Sequence, residues 1–204
     1  KVEMFSAIPP TLGVNVFEGS GFVKTNVKGK GILVPKGKAE DYKNAAGWSS
    51  YADYITDGSP FITAQPTDQT VQNGKTVTFS VTADAMDGTG TMSYQWQVDK
   101  KTGTFADVSG ATSAAYTIST ADKANDGYIY RCVVTNDRGI ATSEAVTLTV
   151  TPSEAEKVAA AKKIVQDTLA DITATNETTK TDIQNAIDTA LSDAGITDVT
   201  VTVG

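Results

Sequence analysis

Val77-Thr78-Phe79-Ser80-Val81-Thr82-Ala83 alternates strictly: Val77, Phe79, Val81 and Ala83 are apolar, and Thr78, Ser80 and Thr82 between them are polar. A period of two in β-branched and aromatic residues is the pattern of a strand with one buried face. The same pattern returns in Tyr94, Trp96 and Val98, in Ala114, Tyr116 and Ile118, in Tyr128, Tyr130, Cys132 and Val134, and in Val146, Leu148 and Val150. Turn formers lie between these runs: Asn73-Gly74, Asp87-Gly88, Thr102-Gly103, Ser109-Gly110, Asn125-Asp126-Gly127 and Asp137-Arg138-Gly139. Short strands at this spacing predict an antiparallel sandwich whose sheets each turn one face inward.

Breaker clusters bound this region. Asp57-Gly58-Ser59-Pro60 precedes it and Thr151-Pro152-Ser153 follows it. The chain therefore divides into 1–57, 61–151 and 153–204. Within the middle part, Trp96 on the third strand and the Asp126…Tyr130-x-Cys132 pattern resemble the immunoglobulin-like fold. The resemblance makes Tyr130 the tyrosine corner and Cys132 the second half of an inter-sheet disulfide. The first half would fall at Val81, so the bridge is missing. Val81 is then expected to pack on the Cys132 thiol and the Trp96 ring. Tyr94-Gln95-Trp96-Gln97, Gly110-Ala111-Thr112 and Val133-Val134-Thr135-Asn136 are similar to bacterial surface versions of the fold.

The first part has its own signature. Pro9 to Gly13, Asn15 to Phe17, Leu33 to Pro35 and Tyr42 to Trp48 resemble the terminal repeat of a BspA-like leucine-rich-repeat protein. Lys38 to Ala46 reads as a helix with Tyr42 inward, stopped at Gly47. Trp48, Tyr51, Ala52 and Ile55 continue at helical spacing. The resemblance implies further repeats before Lys1, because a solenoid repeat cannot bury its face alone. Val2, Met4 and Phe5 are then expected to form an exposed apolar end through which the chain self-associates.

The last part begins with a capping box, Ser153-Glu154-Ala155-Glu156. A helical stripe of Val158, Ala161, Val165, Leu169 and Ile172 follows. A second helix after Thr179 carries Ile183, Ala186, Ile187, Ala190, Leu191 and Ala194, and ends at Gly195. Val199, Val201 and Val203 alternate as a strand. This module is similar to helix-pair segments of Gram-positive surface proteins. The fold class is thus multi-domain and mainly β: a central sandwich, an α+β repeat end, and a module of two helices plus a strand.

Composition narrows the chemistry. The chain has 204 residues, a net charge of −7 and 40% hydrophobic residues. An acidic chain whose 17 basic residues include only two arginines, Arg131 and Arg138, does not suit nucleic acid. It has no His, which removes the commonest general base and metal ligand. Its one Cys can form no internal disulfide. No run of about 18 apolar residues is present, so no membrane span is expected.

The remaining constellations have plain readings. Asp122, Asn125, Asp126 and Gly127 lack the alternating ligands of a calcium loop and read as a capped turn. Trp48, Tyr51 and Tyr54 could make a platform for a sugar ring, but at this spacing they read as packing residues, with Tyr54 facing solvent. Asp84 with Asp87, and Asp182 with Asp188, read as solvated charges. Asn176-Glu177-Thr178 is a glycosylation sequon. No catalytic, cofactor or metal residue is assigned. Candidate binding loops of the sandwich are Asp84–Thr91, Lys100–Thr104 and Asn136–Gly139. The expected function is a non-catalytic adhesion, binding or spacer segment of a bacterial surface or secreted protein, its partner a host or matrix protein or a glycan. The other reading is an accessory region of a larger secreted enzyme, with carbohydrate binding as its candidate role.

Overall fold

The computed structural model describes residues 2–12, 31–85, 91–171 and 179–203. Val14, Val16, Phe17, Asp87, Gly88, Ile172 and the Asn176 sequon lie outside them, as does most of the Asp84–Thr91 loop.

The first module places β1 (Val2–Glu3), β2 (Ile32–Leu33) and β3 (Ile55–Thr56) side by side in a parallel sheet. Helix α1 (Ala39–Lys43) and a 3-10 turn (Ser49–Tyr54) lie between β2 and β3. Tyr42 and Trp48 are fully buried and meet edge to face, ring centroids 4.9 Å apart. Their polar atoms are satisfied by the N-terminal segment: Tyr42 Oη donates to Ser6 O at 2.6 Å, and Trp48 Nε1 donates to Pro10 O at 2.8 Å. The helix is shorter than the Lys38–Ala46 the sequence suggests: it ends at Lys43 with Asn44 as its cap, and Gly47 turns the chain beyond it in the left-handed region, φ +83°. Ile55 is buried on β3, not on a continuing helix: the 3-10 turn stops at Tyr54, and Ile55 is extended (φ −87°, ψ 126°) and paired with Ile32 of β2. Val2 and Met4 are half-buried against this core, so only Phe5, with Ile8 beyond it, stands exposed.

The central module is a two-sided sandwich. Its strands are β4 (Phe61–Ala64), β5 (Gln69–Gln72), β6 (Val77–Ser80), β7 (Thr82–Asp84), β8 (Ser93–Asp99), β9 (Ala106–Asp107), β10 (Ala115–Ile118), β11 (Ile129–Thr135), β12 (Ile140–Thr142) and β13 (Val146–Thr151). One sheet runs β5-β13-β11-β8-β9, with β12 also on β11. Opposite it lie the pairs β10–β6 and β4–β7. The β13–β5 pairing is parallel and the other pairings are antiparallel.

Alternation decides which faces meet. Val77 and Phe79 are buried while Thr78 and Ser80 are exposed. Tyr130, Cys132 and Val134 are buried along β11, as are Val146, Leu148 and Val150 along β13. Val81, Trp96 and Cys132 belong to this one core. Phe79 stacks on Tyr130 at 4.9 Å, and Trp96 approaches Tyr116 at 6.2 Å. Each large ring buried here contributes a few kcal/mol, and offset pairs add about 0.5–1.5 kcal/mol.

The C-terminal module is a helix pair, α2 (Glu154–Asp171) and α3 (Lys180–Asp193). The Ser153 box forms as the sequence predicts: Ser153 N donates to Glu156 Oε2 at 2.7 Å, and Glu156 N to Ser153 Oγ at 3.3 Å. Thr179 and Asp182 make a second box at α3. Gly195 closes α3 in a Schellman turn, with Ile196 N on Leu191 O at 2.9 Å. Ala161, Ile187 and Leu191 form the buried contact. Val158 and Leu169 do not join it and are exposed, because the seam on α2 runs through Ala161, Ile164 and Val165.

Val199 to Val203 form no strand. A single strand needs a partner, and the Gln184 side chain serves instead. Its Nε2 donates to Val201 O at 3.0 Å and its Oε1 accepts from Val203 N at 2.9 Å. Val199, Val201 and Val203 pack on the helix pair as an extended strap.

Candidate functional site

The structure divides the sequence-predicted sites among structural roles. Asp122 Oδ1 accepts from Ala124 N at 2.7 Å, and Asp126 bonds Lys123 Nζ and Val150 N at 2.8 Å each. This is the capped turn the sequence implies. Among the described residues no group of three or more Asp, Glu or Cys could hold a metal ion. Asp182 is held in the α3 capping box, and Asp188 accepts from Gln184. Asp84 caps the next residue, Ala85 N, at 2.8 Å. Trp48 is wholly buried, so no platform of Trp48, Tyr51 and Tyr54 exists.

Cys132 is fully buried, and burial pushes its thiol up to about 11 despite a backbone hydrogen bond from Gln95 that favours the thiolate. Tyr130 occupies the expected corner position. Its hydroxyl, however, makes no hydrogen bond to a described residue, so the corner bond is not formed there.

The Lys100–Thr104 loop is a pre-formed turn. The buried Asp99 carboxylate accepts from Thr102 N at 2.7 Å and from Gly103 N at 3.1 Å.

The Asn136–Gly139 loop is not a free binding loop. It grips the connector between the first module and the sandwich. Asn136 is 9% exposed; its Oδ1 accepts from Arg138 N and Gly139 N at 2.9 and 2.8 Å. Its Nδ2 then donates to Gly58 O at 2.7 Å. Lys36 Nζ reaches Asp137 O at 3.0 Å. Gly139 lies so close to the connector that a Cβ there would sit 2.2 Å from Ser59 Oγ and 2.7 Å from Ser59 Cβ. On the connector's other side, Asp57 accepts from Gly37 N at 2.8 Å and Ser59 N at 3.0 Å. Burial pushes the Asp57 carboxyl up, but the donors from Ser59 and Gly37 outweigh it and hold the group below its ordinary value.

A second junction ties the sandwich to α2. Gln72 Nε2 donates to Glu154 Oε1 at 2.7 Å, and Asn73 Nδ2 to Glu156 Oε1 at 2.8 Å. Asn73 Oδ1 also accepts from Lys123 N at 3.2 Å. Glu156 is held below the ordinary Glu value by the Ser153 backbone and hydroxyl, then by Asn73. These junction residues were missed from sequence because their partners lie up to 83 positions away. The breaker residues at 57–60 and 151–153 mark where to look.

The model of the family described as "Immunoglobulin domain" matches residues 59–136. No curated protein sequence matches the chain. Similar solved structures include Sidekick-1 immunoglobulin domains 1-5, at 20% identity and TM-score 0.37, covering 49% of this chain and 21% of that one. An E-to-A variant of titin domains I67-I69 matches at 20% identity and TM-score 0.37, covering 47% and 33%. A chimeric titin Z1Z2 carrying a decorin KLER peptide matches at 27% and 0.34, covering 47% and 96%. The match thus spans about a fifth of the length of the first of these structures. The alternating core, the buried Trp96 and the family match together establish that this chain contains an immunoglobulin-like domain.

Proposed function

We propose that the chain is a non-catalytic spacer and binding segment of a bacterial cell-surface or secreted protein. It carries out no reaction of its own. Its partners are extracellular, a host or matrix protein or a glycan. The observation that carries this reading is the buried junction of Asn136 with Gly58, backed by Ser59 against Gly139. A buried bond of this kind orients one module on the next, which a flexible linker would not do.

Two further features support it. The chain has no His, and its single thiol is buried and neutral, so no His-activated nucleophile and no thiolate nucleophile is available. In the first module β2 and β3, which pair in parallel, begin 23 residues apart, at Ile32 and Ile55. That arrangement accords with a leucine-rich-repeat end, whose repeats run about 20–29 residues.

Residual dipolar couplings measured in one alignment medium test the spacer reading. A rigid spacer gives one shared alignment tensor for 2–56, 61–151 and 153–203. Independent tensors for the three parts would overturn it.

A further inference from the structure

β9 is the end strand of the larger sheet, β10 pairs with β6 across the sandwich, and residues of both strands line one hollow. A groove of about 330 Å³ lies there, near the lower end of the roughly 300–1,000 Å³ typical of small-molecule sites. Tyr116, Tyr128 and Tyr130 line it. Tyr130 is only 4% exposed, yet its hydroxyl has no hydrogen-bond partner among the described residues and no buried polar atom is left without one. The hydroxyl therefore keeps some access to solvent, and Tyr130 is part of the groove's lining. A nearly buried phenol in a groove wall, its hydroxyl unpaired, leaves a donor and an acceptor for a ligand there. The other two phenols are likewise without a hydrogen-bond partner among the described residues.

The rest of the lining is polar and nearly neutral. The Asn125 amide, the Ser109 hydroxyl and the Lys100 ammonium make no side-chain bond to a described residue, and Asp107 faces the same space. Asp107 already accepts from Gln97 Nε2 at 2.8 Å. Val98 and Val108 supply apolar surface. Burial, with the neighbouring Tyr116 and Tyr128 phenols, pushes Tyr130 up to about 12, so at neutral pH its hydroxyl can donate as well as accept.

From this lining we infer that the groove is a saccharide-binding site. Phenol, amide and serine hydroxyl each donate and accept, which matches the hydroxyl groups of a sugar. The rings and valines suit the apolar face of a pyranose. One Lys set against one Asp offers no net charge to select an anion or a cation. The inference deepens the binding half of the function proposed above.

The test is a ¹⁵N–¹H titration of the full chain with methyl β-glucoside, methyl β-galactoside, N-acetylglucosamine and cellobiose, with glycerol as the control polyol. At least one sugar is expected to bind with a Kd of roughly 1–10 mM, moving amides of 98–109, 116 and 125–130. Tyr130→Phe keeps the ring and removes the hydroxyl; it should weaken binding about three- to tenfold. Tyr128→Phe gives the same reading should Tyr130→Phe lose its native spectrum. Thr70→Ala, exposed on β5 at the far edge, should bind as the parent does. The inference is overturned by no response to any sugar, by an equal response to glycerol, by shifts centred elsewhere, or by phenylalanine variants that bind undiminished. Such a failure leaves the shared alignment tensor, and hence the spacer reading, untouched.

Discussion

Gly139→Ala isolates the junction between the first module and the sandwich. Gly139 does not occupy the left-handed region, so alanine meets no backbone strain of its own. The whole penalty comes from Ser59. A Cβ at 139 would lie 2.2 Å from Ser59 Oγ and 2.7 Å from Ser59 Cβ, with Ser59 Cα at 3.5 Å. The hydroxyl can rotate away, but the Cβ cannot. Restoring an ordinary carbon–carbon contact needs a movement of roughly 1 Å. That movement strains the turn or pulls Gly58 O away from Asn136 Nδ2. Overpacking of this kind costs about 1–3 kcal/mol, and leaving the Asn136 amide unpaired costs a similar amount. Ser59→Gly removes both atoms closer than 3.0 Å and leaves Ser59 Cα at 3.5 Å, so the double variant should recover most of the loss. Its coupling energy in a double-mutant cycle should be about 1–2 kcal/mol. Urea unfolding read by fluorescence measures all four corners, Trp48 reporting on the first module and Trp96 on the sandwich. Gly139→Ala unfolding like the parent, or no rescue by Ser59→Gly, would refute the reasoning.

Cys132 should resist alkylation by iodoacetamide at pH 8 in the folded chain and react fully in urea; rapid native labelling would show the core to be open. Asp57 has a depressed folded value, so its contribution to the junction is present above the unfolded carboxyl range, near 3.8, and is lost as pH falls through the lower folded value. Module coupling should therefore weaken below about pH 4, and Asp57→Asn should remove that part of the acid response; relaxation measurements across the pH series decide this. Phe79→Ala takes a fully buried ring from its stack on Tyr130 and should cost about 3–5 kcal/mol by chemical denaturation. Gln184→Ala should free the 199–203 strap, seen as faster amide exchange at Val203, while α3 keeps its helical signals.

The sandwich was legible in the sequence because one face of each strand is buried and a period of two records that directly. Phe79, Trp96, Cys132 and Leu148 are all at their expected inward positions. The Ser153 capping box was legible too, because its partner Glu156 lies only three residues on. Legibility failed where a long-range partner decides the outcome. Val199, Val201 and Val203 alternate like a strand, but no strand stands beside them and the Gln184 amide takes that place. Val158 and Leu169 continue a helical stripe that is wider than the seam α3 covers. Asn136–Gly139 reads as a loop open to a ligand, and only the fold shows it closed on Gly58 and Ser59. The tyrosine groove is invisible in the sequence because Tyr116, Tyr128 and Tyr130 each read as a strand residue, and only the fold brings them to one hollow.

Fixed spacing of modules is the claim on which the functional reading rests. Spin labels at Ser50→Cys and Lys162→Cys, both exposed, measure it directly, since buried Cys132 takes no label. Pulsed electron resonance should return one narrow distance peak. A broad distribution, as from parts joined by loose linkers, would contradict it.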